Sequence, residues 1–582
     1  MCRIIENRTF SILLIFIISF CVYIPSLCSE FVWDDVITIE RSSFAFSSSG
    51  IKDILIPPVQ GDKSALYYRP VIYASMVLDK ALWGVSPFGF HLTNAFINSL
   101  TSVFFYIFAI MTLTAFRREN AAPAAFLSAL LFSLFPMHTE SVSWVSGRTD
   151  IFCGMFLLLG LIFHTMSAER KLYALPAGLM FFLSLLSKES AAVFPVLVLA
   201  FDLLSRRIGR GGNLTRYILY ISVLGLYIYL KSRAFVVIPD VPGPDSPGQA
   251  PAAEPAIRTA DYLGDLKLIA AAYLFYLKKL AFPFYFNSYI ASVPAGALNV
   301  IISSLVLAVL AAVAIASRLK KEYLGAFSIL WVIVALIPAA AVALMKIAST
   351  PLAERYLYIP SIGYCLLLGY GILSLSRRRN QALFLALICV ALFAFFTFTR
   401  QQVWNDRVSL WRDASVKSPE SPVTHINYGM ALLDSGRYEH ALNELQLGYN
   451  LGSRGDGTLK ALAANNIGVL YIDSEDLANA RLWFEKAYNA DHGYYKTYYH
   501  MGLVNYLGWL LDDSAYSLNH AKVCVQKSIK IKSDYAMGYL MLSKIYDAIG
   551  NAVFACQSAG LALEYGLNDS LASHARDIIE KN

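Results

Sequence analysis

The chain has 582 residues, 57% of them hydrophobic and only 15% charged, whereas ordinary soluble domains carry about 25% charged residues. The apolar residues are concentrated before about residue 400, which excludes a single soluble domain and divides the chain into a membrane portion and a more polar C-terminal portion. The formal charge of +7 falls in short loops between apolar runs, the bias of a multi-pass membrane protein. No nucleic-acid motif accompanies it, so nucleic acid is not an expected partner.

The first apolar run, 10–27, follows Arg3 and Arg8. It is longer than a signal-peptide core and other runs follow it, so it reads as a retained first helix. Further spans are predicted at 96–116, 121–135, 151–166, 172–186, 191–204, 217–230, 300–316, 324–345, 358–375 and 382–398, about eleven in all. With the N-terminus cytoplasmic, the inner loops collect Arg117-Arg118, Arg170-Lys171, Arg206-Arg207 with Arg210, Arg318 with Lys320-Lys321, and Arg377-Arg378-Arg379. Lys278-Lys279, inside the apolar stretch 266–286, breaks the bias unless that stretch is an interfacial or re-entrant helix on the outer side. The eight cysteines are scattered, with no CxxC pair, and define neither a disulfide framework nor a zinc site. Of the Asn-X-Ser/Thr sites at Asn7, Asn213 and Asn568, this topology puts two inside.

The opposite face gathers a different set of residues. A first external loop, 29–95, carries Asp34 and Asp35 in "FVWDDV", Tyr68 and Arg69 in "YYRP", and His91 near its end. The stretch "FPMHTESVSWVSGRTD" adds His138, Glu140, Arg148 and Asp150; "SKES" adds Lys188 and Glu189; "LAERYLYIPS" adds Glu354 and Arg355. A second long external loop, 231–298, carries the interfacial helix. Any chemistry is therefore expected on the outer face, periplasmic in a bacterium or luminal in a eukaryote.

From 400 to 582 the pattern becomes amphipathic helices at helical spacing, with self-similarity near the 34-residue tetratricopeptide (TPR) period. Gly429, Gly468, Gly502 and Ser543 mark the close helix crossings. Ala441, Ala480 and Ala555 follow twelve positions later, and an insertion moves the third to Ala521. The expected fold is all-α: a polytopic helix bundle over 1–399, followed by an α-solenoid TPR domain over 400–582 on the external side. Such a solenoid presents a concave groove for a partner without specifying its identity.

One Asp in a surface loop is most often a solvated acid. Asp34 and Asp35 differ because Phe31, Trp33 and Val36 flank them and because many ionisable residues recur at the same depth, where charge is costly and tends to line functional cavities. A carboxylate there can act as general base on a hydroxyl, and Arg or Lys can hold a phosphate leaving group. A sugar linked to a lipid phosphate would put its phosphate at this level, its tail among membrane lipid. There is no Walker loop, GxGxxG, HExxH or GxSxG. "SKES" reads as a helix-start cap, and a lone His such as His91 or His138 is more often structural than a metal ligand.

Taken in order, "FVWDDV", "YYRPVIYASMVLDKALWGVSPFGFHLTN", "FPMHTESVSWVSGRTDIFCGMF", "SKESAAVFPVLVLAFDLL" and "AERYLYIPSIGYCLLL", followed by TPRs, resemble the transmembrane-and-TPR O-mannosyltransferase family of GT-C glycosyltransferases and its bacterial relatives. The resemblance covers nearly the whole chain. It implies a GT-C-like transferase using a polyprenyl-phosphate-linked sugar, with Asp34 as catalytic acid of the first-loop pair and Asp35 as its second member. Arg69, Arg148, Lys188 and Arg355 are the candidates for holding the donor phosphate. Tyr68, His91, His138, Glu140, Asp150, Glu189 and Glu354 are the candidates for shaping the substrate site. No cofactor is implied, though a divalent cation at Asp34-Asp35 stays open. The TPR array, at about four units, is shorter than in animal members, which leaves a protein or a glycan as acceptor. The competing readings are a lipid- or polysaccharide-modifying transferase and a non-enzymatic scaffold. A transporter would call for an internal inverted repeat, which the sequence lacks.

Overall fold

A computed structural model describes residues 7–40, 68–205, 213–235, 262–345, 350–375, 379–452, 457–512, 515–567 and 569–581. Tyr67, Arg206, Arg207, Arg210, Arg377, Arg378, Asn568 and most of the two long loops lie outside them. The chain divides into two compact units, Met1–Asp413 and Ala414–Asn582. Among the described residues there is no strand, only an isolated bridge between Ile290 and Leu352.

In the first unit the helices are α1 (Arg8–Val22), α2 (Pro70–Trp83), α3 (Pro87–Ala115), α4 (Ala121–Ser133), α5 (Thr139–Ser143), α6 (Arg148–Met166), α7 (Ala174–Ser187), α8 (Phe194–Leu204) and α9 (Asn213–Phe235). Then come α10 (Tyr262–Ala281), α11 (Ala297–Leu319), α12 (Tyr323–Ala335), α13 (Ile337–Met345), α14 (Pro360–Leu375), α15 (Arg379–Gln401) and α16 (Arg407–Lys417), the last running past Asp413. Local chemistry sets several ends. The Asn7 side chain accepts from the Phe10 amide and caps α1. Pro70 and Pro87 occupy first-turn positions, where a missing N–H costs nothing. Gly84, with φ of 64°, closes α2 in the left-handed region that suits glycine.

Each of the eleven predicted spans falls on helix, but five helices are long and apolar enough to cross a bilayer: Pro87–Ala115, Val145–Met166, Ala297–Leu319, Tyr323–Met345 and Asn380–Trp404. A sixth forms if Ala121–Ser133 and Pro136–Ser143 count as one span bent by 45°, with Pro136 at the break removing a ladder donor. The other predicted spans lie on shorter or more charged helices. At 1.5 Å per residue, the eleven residues of α8 reach little more than half of a roughly 30 Å hydrocarbon core. The segment 29–95, expected as one long loop, contains α2 and the start of α3. α3 begins at Pro87, so His91 and Asn94 sit in its first turns rather than in a loop. Asn94 is accommodated there because its Nδ2 donates to the carbonyls of Val142, Trp144 and Val145.

α3 is central, packing against α1, α4 and α6; α4 packs against α14, and α14 against α12. α10 packs against α11 and α13. Two glycines permit close approaches: a Cβ at Gly369 on α14 would meet the Ser128 backbone of α4 at 2.7 Å, and one at Gly363 would meet Trp331 of α12 at 2.7 Å. α11 and α15, by contrast, leave most of their apolar surface uncovered, as a lipid-facing helix does.

The second unit is a run of helix pairs: α17 (Pro422–Asp434) with α18 (Tyr438–Leu451), α19 (Gly457–Asp473) with α20 (Leu477–Ala490), α21 (Tyr495–Asp512) with α22 (Ala515–Ile531), and α23 (Ala536–Ile549) with α24 (Ala552–Glu564). α25 (Asp569–Lys581) packs on the last pair. Asp476 and Asn551 cap α20 and α24 through the amides of Asn479 and Phe554. The small residues sit where paired helices touch. A Cβ at Gly429, Gly468 or Gly502 would come within 2.6 Å of Leu445, 2.5 Å of Phe484 or 2.6 Å of Val525. Ala441, Ala480, Ala521 and Ala555 are fully buried. Gly468→Leu is expected to lower the stability of this unit by about 1–3 kcal/mol through overpacking against Phe484, measurable by chemical denaturation of the full chain.

Candidate functional site

The turn after α1 carries Asp34 and Asp35, whose surroundings differ. Asp35 is fully buried. Its Oδ1 accepts from the Ser146 amide at 2.9 Å and from the Ser146 hydroxyl at 2.5 Å. Asp34 is half-buried, and its backbone carbonyl accepts from the Thr38 amide and hydroxyl. Burial pushes the Asp34 carboxyl up to about 6, while the Arg355 charge pulls the other way. Burial also raises Asp35, against the two Ser146 bonds and with the Asp34 charge adding to the rise. Just before them, Trp33 has a left-handed φ of 54°, a conformation costing about 1–3 kcal/mol that the surroundings must impose. Its ring lies 5.3 Å from Trp144, 5.4 Å from Trp411 and 6.1 Å from Tyr289.

Around Asp34 and Arg355 the predicted cations are each matched to a carboxylate. Arg69, at the start of α2, donates to Glu189 through Nε at 3.2 Å and Nη2 at 3.1 Å, a bidentate pair. Lys188 Nζ lies 2.6 Å from both oxygens of Asp150 on α6 and 4.8 Å from the Tyr356 ring centre. Arg355 pairs with Glu140 of α5 through its guanidinium, and the Arg355 amide donates to the second Glu140 oxygen at 3.0 Å. The Arg355 guanidinium also stacks over Trp144 and Tyr356, at 5.2 and 5.0 Å.

These pairs share one electrostatic neighbourhood. Burial lowers the Lys188 ammonium, Asp150 opposes that shift, and Arg69 and Arg355 add to it. For Glu189, burial alone would raise the carboxyl, but Arg69 overrides it and brings it down to about 2. Tyr356 feels Arg355, Asp150 and Arg69 together. Tyr68, next to Arg69, is buried with its ring 6.3 Å from Tyr227.

Four predicted residues are placed otherwise. Arg148, fully buried at the start of α6, is spent on Asp79 of α2 at 2.7 Å, with further bonds to Ser75 Oγ and the Phe90 carbonyl. Glu354 turns away from Arg355 and accepts from Lys279 at 2.6 Å and from the Asn287 amide at 2.7 Å. His138 bonds Ser361 Oγ at 2.8 Å within a cage of Phe132, Phe135 and Tyr358. His91 is buried on α3 beside Arg148 and the Glu30 backbone. Among the described residues no group of three His, Cys, Asp or Glu side chains is arranged to hold a metal, and one oxygen of Asp35 is already taken by Ser146.

Sequence reasoning missed Ser146, Tyr356, Trp144, Asp79 and Asn94. It noticed Lys279 only as an exception to the charge bias. Lys279 is in fact buried against Glu354, so its charge is answered inside the protein and is no guide to which side of a membrane it lies on.

No family model matches the chain. The chain is similar to protein O-mannosyl-transferases. A Caenorhabditis elegans protein O-mannosyl-transferase is 24% identical over 436 residues, covering 73% of this chain and 60% of that protein. Human protein O-mannosyl-transferase TMTC1 is 24% identical over 522 residues, covering 78% and 56%. A shorter match, to the Drosophila melanogaster protein O-mannosyl-transferase Tmtc2, reaches 41% over 98 residues, or 16% of this chain and 10% of that protein. The chain thus spans about three fifths of the length of the first two relatives. Among solved structures, a thermophilic TPR protein of Thermus thermophilus is 16% identical with a TM-score of 0.25, covering 33% of this chain and 95% of that one. That likeness adds nothing to the helix pairing described above.

The buried pairs yield a stability test. Asp79→Ala strands the Arg148 guanidinium in the interior and is expected to cost about 3–5 kcal/mol, seen as a lower melting temperature in detergent. Arg69→Ala, at a partly exposed pair, should cost far less.

Proposed function

We propose that this chain is a membrane glycosyltransferase that moves a monosaccharide, mannose by its relatives' names, from a polyprenyl-phosphate donor to a hydroxyl of a protein acceptor. In this reading Asp34 takes the proton of the acceptor hydroxyl as its oxygen attacks the anomeric carbon. The bond from that carbon to the phosphate oxygen breaks, its electron pair leaves with the lipid phosphate, and the anomeric configuration inverts. The observation that carries the reading is the half-buried Asp34 carboxylate under the influence of Arg355, beside a cluster in which Arg69, Lys188 and Arg355 are each paired with one carboxylate.

A phosphate entering that cluster competes with Glu189, Asp150 and Glu140 for the three cations. The pairs keep the cations charged and oriented while no donor is bound, and the developing phosphate charge then finds donors already in position. Burial of Asp34 serves the same chemistry, since a base is most effective with a pKa near the working pH. We assign the site to the external face, with the helix-pair unit as the holder of the acceptor.

The test is to incubate the purified chain with polyprenyl-phosphate mannose and an acceptor peptide rich in Ser and Thr, and to follow release of the lipid phosphate. Asp34→Asn should leave the melting temperature unchanged and abolish release; a fully active Asp34→Asn protein rules the scheme out. Turnover should rise as pH increases through about 6, because below that point the Asp34 carboxyl retains the proton it must accept. A profile flat between pH 5 and 7 (roughly one unit either side) would assign the base elsewhere.

A further inference from the structure

A left-handed backbone is the usual province of glycine, or of Asn and Asp in tight turns. At φ of 54° this chain instead places tryptophan, immediately before the candidate base. Building on the role proposed for Asp34, we propose that Trp33 is its positioning residue: an indole gripped by Trp144, Trp411 and Tyr289 holds the turn that presents the Asp34 carboxylate to Arg355.

Three observations converge on this. Trp33 is buried, with ring centres at 5.3, 5.4 and 6.1 Å, and the Trp33–Trp144 pair is stacked at 21°. Asp35, on the other side of Asp34, is latched by Ser146, so both flanks of the base are tied to the segment 144–146. That segment is itself anchored to α3 through the three carbonyls bonded by Asn94. Arg355, meanwhile, rests on Trp144 at 5.2 Å and is held there by Glu140. The base and the cation therefore take their positions from one shared ring. In this arrangement Asp35 is a latch and does not exchange a proton with the acceptor.

Loss of the Trp33 indole frees the turn, so Asp34 drifts from Arg355 and meets more water. The charged groups that the structure places around it are Arg355 and its neighbour Asp35, with Glu140 and Asp150 behind Arg355. Losing Arg355 would raise the midpoint, but opening to water removes the larger effect, burial, so the midpoint falls from about 6 towards the ordinary carboxylate range.

The informative variants are Trp33→Gly, which keeps the backbone conformation at no steric cost while removing the ring, and Trp33→Phe, which restores an aromatic ring. The full chain in lipid nanodiscs is assayed with polyprenyl-phosphate mannose. Trp33→Gly is expected to lower kcat by about 100-fold with the KM for donor unchanged and the acidic limb moved to lower pH. Trp33→Phe is expected to recover most of kcat. A second readout needs no turnover: the Asp34 carboxyl band in infrared titration, identified by its loss in Asp34→Asn, should show the same downward shift. A Trp33→Gly protein with an unshifted Asp34 midpoint overturns the proposal, whether it is active or merely less stable. If the wild-type chain releases no lipid phosphate, the proposed transfer fails, and the infrared midpoint alone decides the positioning role.

Discussion

A charge withdrawn from water must be met by an opposite charge or a set of hydrogen bonds, and this requirement shapes the membrane unit. Arg148, Lys188, Lys279 and Arg355 are all largely buried, and each is answered by an acid from a remote part of the chain: Asp79, Asp150, Glu354 and Glu140. Hydrophobic burial alone would let apolar helices slide and rotate against one another with little penalty. A buried pair cannot slide, because separating its members leaves an uncompensated charge in a medium of low dielectric. The pairs thus specify which segments meet, whatever they add to net stability.

The pairs fall into two kinds. Arg148–Asp79 is almost wholly excluded from solvent and reinforced by Ser75 and the Phe90 carbonyl. Lys279–Glu354 is similarly enclosed, with the Asn287 amide completing it. Both bind the frame together: one joins α2 to α6, the other fastens α10 to the segment before α14. Arg69–Glu189, Lys188–Asp150 and Arg355–Glu140 sense one another and surround Tyr356. Each cation there is balanced by one carboxylate, so an anionic guest must compete with those acids for the three cations. The enclosed pairs support the cluster, which in the proposed reading is where the donor phosphate binds.

Much of the helical skeleton was legible along the chain. Apolar runs of the right length marked the positions of the bundle helices, and small residues at fixed spacing marked the crossings in the repeat unit, because both are local patterns. The extent of α3 was not, because the polar residues His91 and Asn94 mimic a loop until their partners are known. Nor was the fate of Arg148, which shares its stretch with Glu140 and Asp150 yet points to an acid sixty-nine positions earlier. At Lys278-Lys279 the sequence showed two adjacent charges, and it did not reveal that Lys279 pairs with Glu354 within the fold while Lys278 stays exposed.

By itself, the sequence determined that this is a helical chain with a strongly apolar portion and a repeat portion, and that acids and bases recur at one level beside the apolar runs. Those properties follow from composition and periodicity, which act over a few turns of helix. Only the tertiary structure decided which acid answers which base, that Asp35 is tied to Ser146 while Asp34 lies under the influence of Arg355, and that tryptophan occupies a backbone conformation suited to glycine. Such choices depend on contacts between segments up to nearly four hundred residues apart, as between Trp33 and Trp411, and the residue types alone are compatible with many pairings that burial and geometry exclude.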